Sequence, residues 1–171
     1  MKTSKKFNAE SIIVLCVFAV ASVVMVVEIC VPWLNEFKDG YLAGTFTINY
    51  YFIKGLTETK GFTTMFGLAL ASVLSCAIIT VSYTVSRFVN TEKFTALWCV
   101  CILVSLALLL CSAFTIYFTQ AHISAVYVFE DKTHVFTLGA GVWIFSLFGI
   151  IAGASGLAAF SRLAFKSWEK D

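Results

Sequence analysis

The chain has 171 residues, of which 60% are hydrophobic and 13% are charged, and its formal net charge is +2. Soluble domains carry about 25% charged residues, so this composition excludes an ordinary water-soluble globular protein. The small net charge and the lack of a block rich in lysine and arginine exclude nucleic acid as an expected partner. The length is that of a single domain covering residues 1–171.

Four apolar stretches are long enough to cross a bilayer, whose hydrocarbon core of about 30 Å requires about 20 helical residues. The predicted spans are about 11–34, 62–89, 94–119 and 135–165, with no charge in their middle turns. The first stretch is too long for the apolar region of a cleaved signal peptide and no Ala-x-Ala site follows it, so we expect a retained helix. The sequence predicts an all-α integral membrane protein, a four-transmembrane-helix bundle embedded in the lipid bilayer.

Lysine and arginine residues are distributed unevenly between the segments that connect the spans. Eight lie at or near the two termini and the connection between the second and third spans, counting Arg87 and Arg162 in the last turns of their spans, and four lie in the other two loops, 35–61 and 120–134. The positive-inside rule places both termini in the cytoplasm and these two loops outside. The plasma membrane is the favoured location and an organelle membrane the alternative. Trp33, Trp98 and Trp168 fall near the predicted membrane interfaces.

The two outer loops each contain a stretch in which apolar or aromatic residues occupy every second position. This period, with β-branched and aromatic residues, is typical of strands. Because both stretches lie on the same side, we predict a small extracellular antiparallel β-sheet on the bundle. The alternatives are irregular loops or extensions of the helices. The outward candidates for contact with a partner are Phe46, Ile48, Tyr50 and Phe52 in the first loop and Tyr127 and Phe129 in the second.

The fourth span carries small residues at the spacing that favours close helix packing. Gly149 and Gly153 are four residues apart and Gly156 lies one turn further on. Small residues allow helix backbones to approach closely, because helix association in lipid depends on packing. The contact is predicted either within the bundle, where Ala71 and Ser75 of the second span would offer a matching face, or with a second copy of the chain.

Glu28 is an acidic residue near the outer end of the first span. Acidic residues within spans usually face the bundle interior or a water-filled cavity. Three interpretations remain open: the carboxylate reaches water at the interface, it binds hydroxyl groups such as those of Thr115, Tyr117 or Thr137, or it binds a transported ion or proton. The lack of a second ionisable group at the membrane centre argues against a pump working alone.

The sequence contains no nucleophile–base pair, no phosphate-binding glycine loop and no paired carboxylates with a geometry that suits catalysis, so we expect no enzymatic activity and no cofactor. His122 and His134 flank two acidic residues, but this spacing alone does not predict a metal site. The six cysteines all lie in the predicted spans and are expected to act as packing residues. Palmitoylation of Cys99 or Cys101 near the cytoplasmic side is the alternative.

The stretch "VFTLGAGVWIFSLFGII", residues 135–151, resembles the opening of the last helix in amastins, through Gly139, Ala140 and Gly141. The four-span layout with a strand-rich first outer loop is similar to the wider claudin and peripheral-myelin-protein superfamily. That resemblance implies a role in surface interaction, membrane organisation or as an accessory subunit, with other membrane proteins or a second copy as partner. The chain departs from both families because loop 35–61 contains no cysteine and no tryptophan. The alternative function is a small transporter, channel component or lipid-handling protein that uses Glu28.

Overall fold

The computed structural model describes residues 9–48, 60–88, 94–126 and 134–168. Within these ranges, four helices are long and apolar enough to cross a membrane, which confirms the predicted four-helix arrangement. A small antiparallel sheet accompanies them. The elements in chain order are α1 (Ala9–Glu28), β1 (Pro32–Lys38), β2 (Tyr41–Thr47), α2 (Lys60–Phe88), α3 (Thr95–Val126), β3 (His134–Leu138) and α4 (Ala140–Trp168).

Each helix turns one side towards the bundle, and this side is narrow in α1, α2 and α3. In α2 and α3 the buried residues are separated by alternating steps of three and four, a seven-residue repeat that suits helices crossing at a shallow angle, whereas α4 buries a wider face. The opposite faces are also apolar: Ile13, Val23 and Leu103 are all more than 60% exposed. Helices that are apolar on all sides are typical of membrane spans. The stripe of α2 consists of Met65, Ala69, Ser72, Cys76, Ile79, Tyr83 and Ser86.

Four aromatic rings, one from each helix, pack together in the half of the bundle where α1 begins. The rings of Phe18 and Tyr83 form an edge-to-face pair with their centres 5.5 Å apart, and Tyr83 and Phe160 form another at 6.0 Å. The ring of Phe160 stacks on that of Trp98 at 6.1 Å. Trp98 is only 2% exposed. It therefore packs inside the bundle, whereas its position in the sequence predicts an interfacial anchor.

The sheet has the strand order β2–β1–β3, with both pairs antiparallel. A two-residue turn, Asp39–Gly40, connects β1 to β2 so that Lys38 pairs with Tyr41. Both turn residues have positive φ values, 51° and 83°, as a type I′ hairpin turn requires. Such a turn matches the natural twist of the two strands.

The predicted first span, 11–34, extends beyond the helix, which ends at Glu28. Proline has no amide hydrogen, and its ring clashes with the carbonyl group four residues earlier in a helix. For Pro32 that carbonyl belongs to Glu28, so the helix cannot continue through this position. The chain instead starts β1 at Pro32, and the predicted loop 35–61 already contains strand residues at its beginning.

The predicted strand in the second outer loop is wrong over its described part, because residues 123–126 belong to α3. The third strand is His134–Leu138, which the sequence assigned partly to the fourth span, 135–165. A helix satisfies its own backbone hydrogen bonds, so the apolar run continues as α3 past residue 119 without needing a partner strand. Tyr50, Phe52, Tyr127 and Phe129 lie outside the described residues.

Candidate functional site

The sheet is fixed to the bundle at the point where α1 ends and α4 begins. Trp33 is fully buried and its ring lies 5.2 Å from that of Phe145. Its indole Nε1 donates a hydrogen bond of 2.7 Å to the carbonyl oxygen of Glu28, which also accepts one of 3.2 Å from the amide of Val31. These bonds satisfy a carbonyl group that the end of the helix would otherwise leave unpaired.

Gly139 and Gly141 make this junction sterically possible. A Cβ atom on Gly139 would lie 2.3 Å from the carbonyl oxygen of Pro32, and one on Gly141 would lie 2.8 Å from Cδ1 of Trp33. The amide of Gly139 also donates a 2.7 Å hydrogen bond to the carbonyl oxygen of Trp33. The Gly-Ala-Gly sequence therefore allows the start of β1 to lie against the first turn of α4.

Burial falls along β1 from this junction towards the hairpin turn. Trp33 and Leu34 are buried, whereas Lys38 is exposed. Beyond the turn, Tyr41 is 81% exposed and Leu42 is 58% exposed. The hairpin thus has one end locked in the bundle and presents two large apolar side chains at the other.

Two of the predicted contact residues of the first loop have different environments. Phe46 lies in β2 and is half-buried, whereas Ile48 directly follows the strand and is 1% exposed. Ile48 belongs to the hydrophobic core, so it cannot present a surface to a partner. The exposed side chains at the hairpin turn, Tyr41 and Leu42, were missed because the predicted strand began after them.

The glycines of the fourth span face α3 within the same chain. A Cβ atom on Gly149 would lie 2.0 Å from Oγ of Ser112, and one on Gly156 would lie 2.4 Å from Oγ of Ser105. A Cβ atom on Gly153 would lie 2.9 Å from the backbone nitrogen of Leu109. Of the two predicted contacts, the structure thus shows the one within the bundle, and the matching face lies on α3 rather than on Ala71 and Ser75 of α2.

Glu28 occupies the bundle-facing stripe of α1, one turn beyond the buried Met25. It is 8% exposed, so its carboxylate does not simply extend into water. Its Oε2 atom is buried with no hydrogen-bond partner among the described residues. None of the three expected hydroxyl partners bonds to this atom: Thr115 donates to the carbonyl oxygen of Cys111, and Tyr117 and Thr137 are exposed.

Two serine hydroxyl groups at a depth in the bundle similar to that of Glu28 also have no hydrogen-bond partner among the described residues. Met25, Ser112 and Gly149 meet where α1, α3 and α4 come together. Glu28 and Ser146 each lie one turn from that meeting point. The Oγ atoms of Ser112 and Ser146 are buried and lack a hydrogen-bond partner among the described residues. The interior near Glu28 is therefore a polar region with unfilled hydrogen-bonding capacity.

The remaining candidate groups do not assemble into a reactive centre within the described ranges. No group of three or more His, Cys, Asp or Glu residues there is placed to hold a metal ion. All six cysteines are free thiols. Cys101 is buried and unavailable for palmitoylation, whereas Cys99 is exposed.

Comparison with known proteins finds no family model that matches the chain and no match among curated proteins. The claudin-like and amastin-like resemblance stays a prediction that rests on the layout of the spans and on Gly139, Ala140 and Gly141.

Proposed function

We propose that the chain is a non-enzymatic, multi-pass membrane protein that recognises a partner protein through the β1–β2 hairpin. The observation that carries this proposal is the exposure of Tyr41 and Leu42 at the end of a hairpin whose other end is locked to the bundle. Large apolar and aromatic side chains on a rigid support lose little conformational entropy on binding, and tyrosine is enriched at binding hot spots.

The position of β2 in the sheet supports the same function. It lies at one edge of the described sheet, next to β1 alone. An edge strand offers backbone amide and carbonyl groups to an incoming strand, while its side chains provide specificity. The hairpin therefore combines a backbone template with two exposed apolar side chains.

The proposed orientation follows from the lysine and arginine distribution, with both termini cytoplasmic and the hairpin on the opposite side of the membrane. In this orientation the hairpin meets the outer domain of a neighbouring membrane protein or of a second copy. The role is membrane organisation, surface interaction or service as an accessory subunit, with the plasma membrane as the favoured location.

The test is crosslinking in cells followed by purification in mild detergent, with determination of the mass and composition of the complex. We expect a complex of fixed stoichiometry for the natural chain and its loss in the double variant Tyr41→Ser, Leu42→Ser. Tyr117→Ser is the matched control, because Tyr117 is also exposed but lies on α3. A monomer for the natural chain, or equal complex formation by all three proteins, would contradict the proposal.

A second candidate function is movement of a cation, a proton or a lipid past Glu28. The buried Oε2 atom without a partner favours this candidate, because intramembrane acidic residues commonly mark ion or proton pathways. The unpaired hydroxyl groups of Ser112 and Ser146 in the same part of the bundle add ligand oxygens. Flux measurements on Glu28→Gln in liposomes test this candidate.

A further inference from the structure

A cleft lies between α1, α2 and α4 at the end of the bundle opposite the sheet. Its volume is about 390 Å³. The polar side chains that line it include Glu10 at the start of α1, Tyr83 and Arg87 at the end of α2, and Arg162 and Lys166 at the end of α4. We refer to this feature as the basic cleft.

The basic cleft has more positive than negative charge. Three cationic side chains line it, against the single carboxylate of Glu10. Glu10 forms an ion pair with Arg162, but both side chains are largely exposed, at 59% and 72%. Exposed ion pairs contribute little to stability because solvent screens them, so a stronger anionic ligand can compete for Arg162. Arg87 and Lys166 have no carboxylate partner among the described residues.

Arg87 is held in position by the aromatic core. Its guanidinium carbon lies 4.3 Å from the centre of the Tyr83 ring, and one of its terminal nitrogens donates a hydrogen bond to the Tyr83 hydroxyl group. Tyr83 is itself buried between Phe18 and Phe160. The Nε atom of Arg87 lacks an acceptor in the described part of the chain. The guanidinium group is therefore oriented in advance. The buried Nε atom does not face the cleft, and of the N–H donors on the two terminal nitrogens, those that Tyr83 does not take are left for a ligand with several oxygen acceptors.

The apolar part of the cleft lining indicates what else an anionic ligand would carry. Apolar side chains, including Val14, Ala159 and Leu163, line the same cavity. The outward faces of the surrounding helices are apolar as well, with Phe88 and Phe165 at 75% and 65% exposure. A ligand that carries a phosphoryl group next to hydrocarbon chains fits both features, and basic pockets between membrane helices bind lipid headgroups.

We infer that the basic cleft binds the phosphoryl headgroup of an anionic phospholipid. Arg87 and Arg162 act as the principal donors, because a guanidinium group presents parallel N–H donors that match phosphoryl oxygens. Lys166, which is exposed and also lines the cleft, adds a third positive charge. This inference is independent of the hairpin function, because the two sites lie at opposite ends of the bundle.

The test is native mass spectrometry of the purified full-length chain titrated with phosphatidic acid or with phosphatidylcholine of the same acyl chains. We expect preferential binding of phosphatidic acid. Each of Arg87→Gln, Arg162→Gln and Lys166→Gln should weaken it about fivefold, the effect of roughly one lost cation at a membrane surface. Glu10→Gln should strengthen binding, because it removes the competing carboxylate.

Lys38→Gln is the control, since Lys38 is an exposed cation at the other end of the protein, on β1. Lys166→Gln keeps the test decisive if Arg87→Gln does not fold, because Lys166 is exposed. Equal binding of both lipids, or an equal loss in Lys38→Gln, would overturn the inference. Full displacement of phosphatidic acid by inorganic phosphate would also overturn it, because the site would then bind the free anion rather than a lipid.

Discussion

The indole nitrogen of Trp33 lies 2.7 Å from the carbonyl oxygen of Glu28 and donates a hydrogen bond to it. The side chain of the second residue of β1 thereby caps the last residue of α1. Pro32, between them, has no amide hydrogen with which to serve the helix end. This bond fixes the angle at which the sheet leaves the bundle, and with it the position of the hairpin.

Replacing Trp33 with phenylalanine should destabilise the protein. The smaller ring can still contact Phe145, but the carbonyl group of Glu28 loses a donor in a buried setting. Because this carbonyl group keeps its hydrogen bond from the amide of Val31, the loss is that of one hydrogen bond, about 0.5–1.5 kcal/mol. We expect a decrease of that size in the free energy of unfolding, measured by denaturant titration in micelles. Trp168→Phe is the control, because Trp168 is 72% exposed; equal stability of the two variants would contradict the capping role.

Alanine at Gly139 or Gly141 should push β1 away from α4. The added Cβ atom would lie 2.3 Å from a backbone oxygen in the first case and 2.8 Å from the Trp33 ring in the second. Overpacking of this kind costs about 1–3 kcal/mol. The measurement is the thermal unfolding midpoint, together with Trp33 fluorescence in a variant whose other tryptophans are replaced.

Gly67→Ala is the matched control for these two substitutions. Gly67 is a helical glycine whose added Cβ atom meets nothing within 4 Å. Alanine exceeds glycine in helix propensity by about 1 kcal/mol, so this variant should be as stable as the natural chain or more stable. A loss of stability in Gly67→Ala equal to that in Gly139→Ala would contradict the steric role of the junction glycines.

The contact between α3 and α4 should respond differently to alanine at Gly149 and at Gly153. The obstacle at Gly149 is the side chain of Ser112, whereas the obstacles at Gly153 include the backbone nitrogen of Leu109 and the backbone oxygen of Ser105. Both single variants should lose about 1–3 kcal/mol through overpacking.

Ser112→Gly should restore most of the stability of Gly149→Ala, because it removes the atoms that the new methyl group would meet. Leu109→Ala should not restore Gly153→Ala, because no side-chain truncation moves a backbone atom. A double-mutant cycle of unfolding free energies measures both effects. Absence of coupling between positions 112 and 149 would contradict the observed packing.

Glu28→Gln should raise the free energy of unfolding. The substitution keeps the shape of the side chain but removes an ionisable group from a site where one oxygen has no partner, and an unpaired buried charge is costly. Glu10→Gln is the control, because Glu10 is exposed at the opposite end of the bundle.

Ion and proton flux in liposomes distinguishes a structural from a transport role for Glu28. Loss of flux in a folded Glu28→Gln protein would support the transport candidate. Unchanged flux, or no flux in the natural chain, would remove that candidate and leave the hairpin function.

The helices were predictable because hydropathy and length are local properties of the sequence. The first strand was missed although two local signals mark it: Pro32 ends the helix, and Asp39–Gly40 is the dipeptide typical of a type I′ turn. The strand in the second outer loop was misplaced because period two in a short apolar run does not distinguish a strand from the end of a helix. Residues 134–138 form the strand because they pair with β1 and lead directly into α4.

The spacing of Gly149, Gly153 and Gly156 indicated a close helix contact, but spacing alone does not identify the helix that packs against these glycines. Gly149, Gly153 and Gly156 face Ser112, Leu109 and Ser105 in turn, so the facing residues of α3 run in the opposite chain direction in steps of three and four, as antiparallel neighbours require. The role of Trp33 could not be predicted from the sequence either, because a tryptophan near the end of a span is typical of a membrane interface. Its burial depends on two glycines more than 100 residues away along the chain.

By itself, the sequence determined that this protein has four helices long and apolar enough to cross a membrane, and it marked Glu28 and the glycines as positions of interest. Apolar composition and helical period act within a few turns of one segment, so they can be read without knowing the neighbours. The tertiary structure alone decided that α3 covers the glycines, that Trp33 caps α1 and that three basic residues from two helices share one cleft. Each of these relationships joins segments far apart in the chain, and the steric fit between them appears only when the segments are packed together.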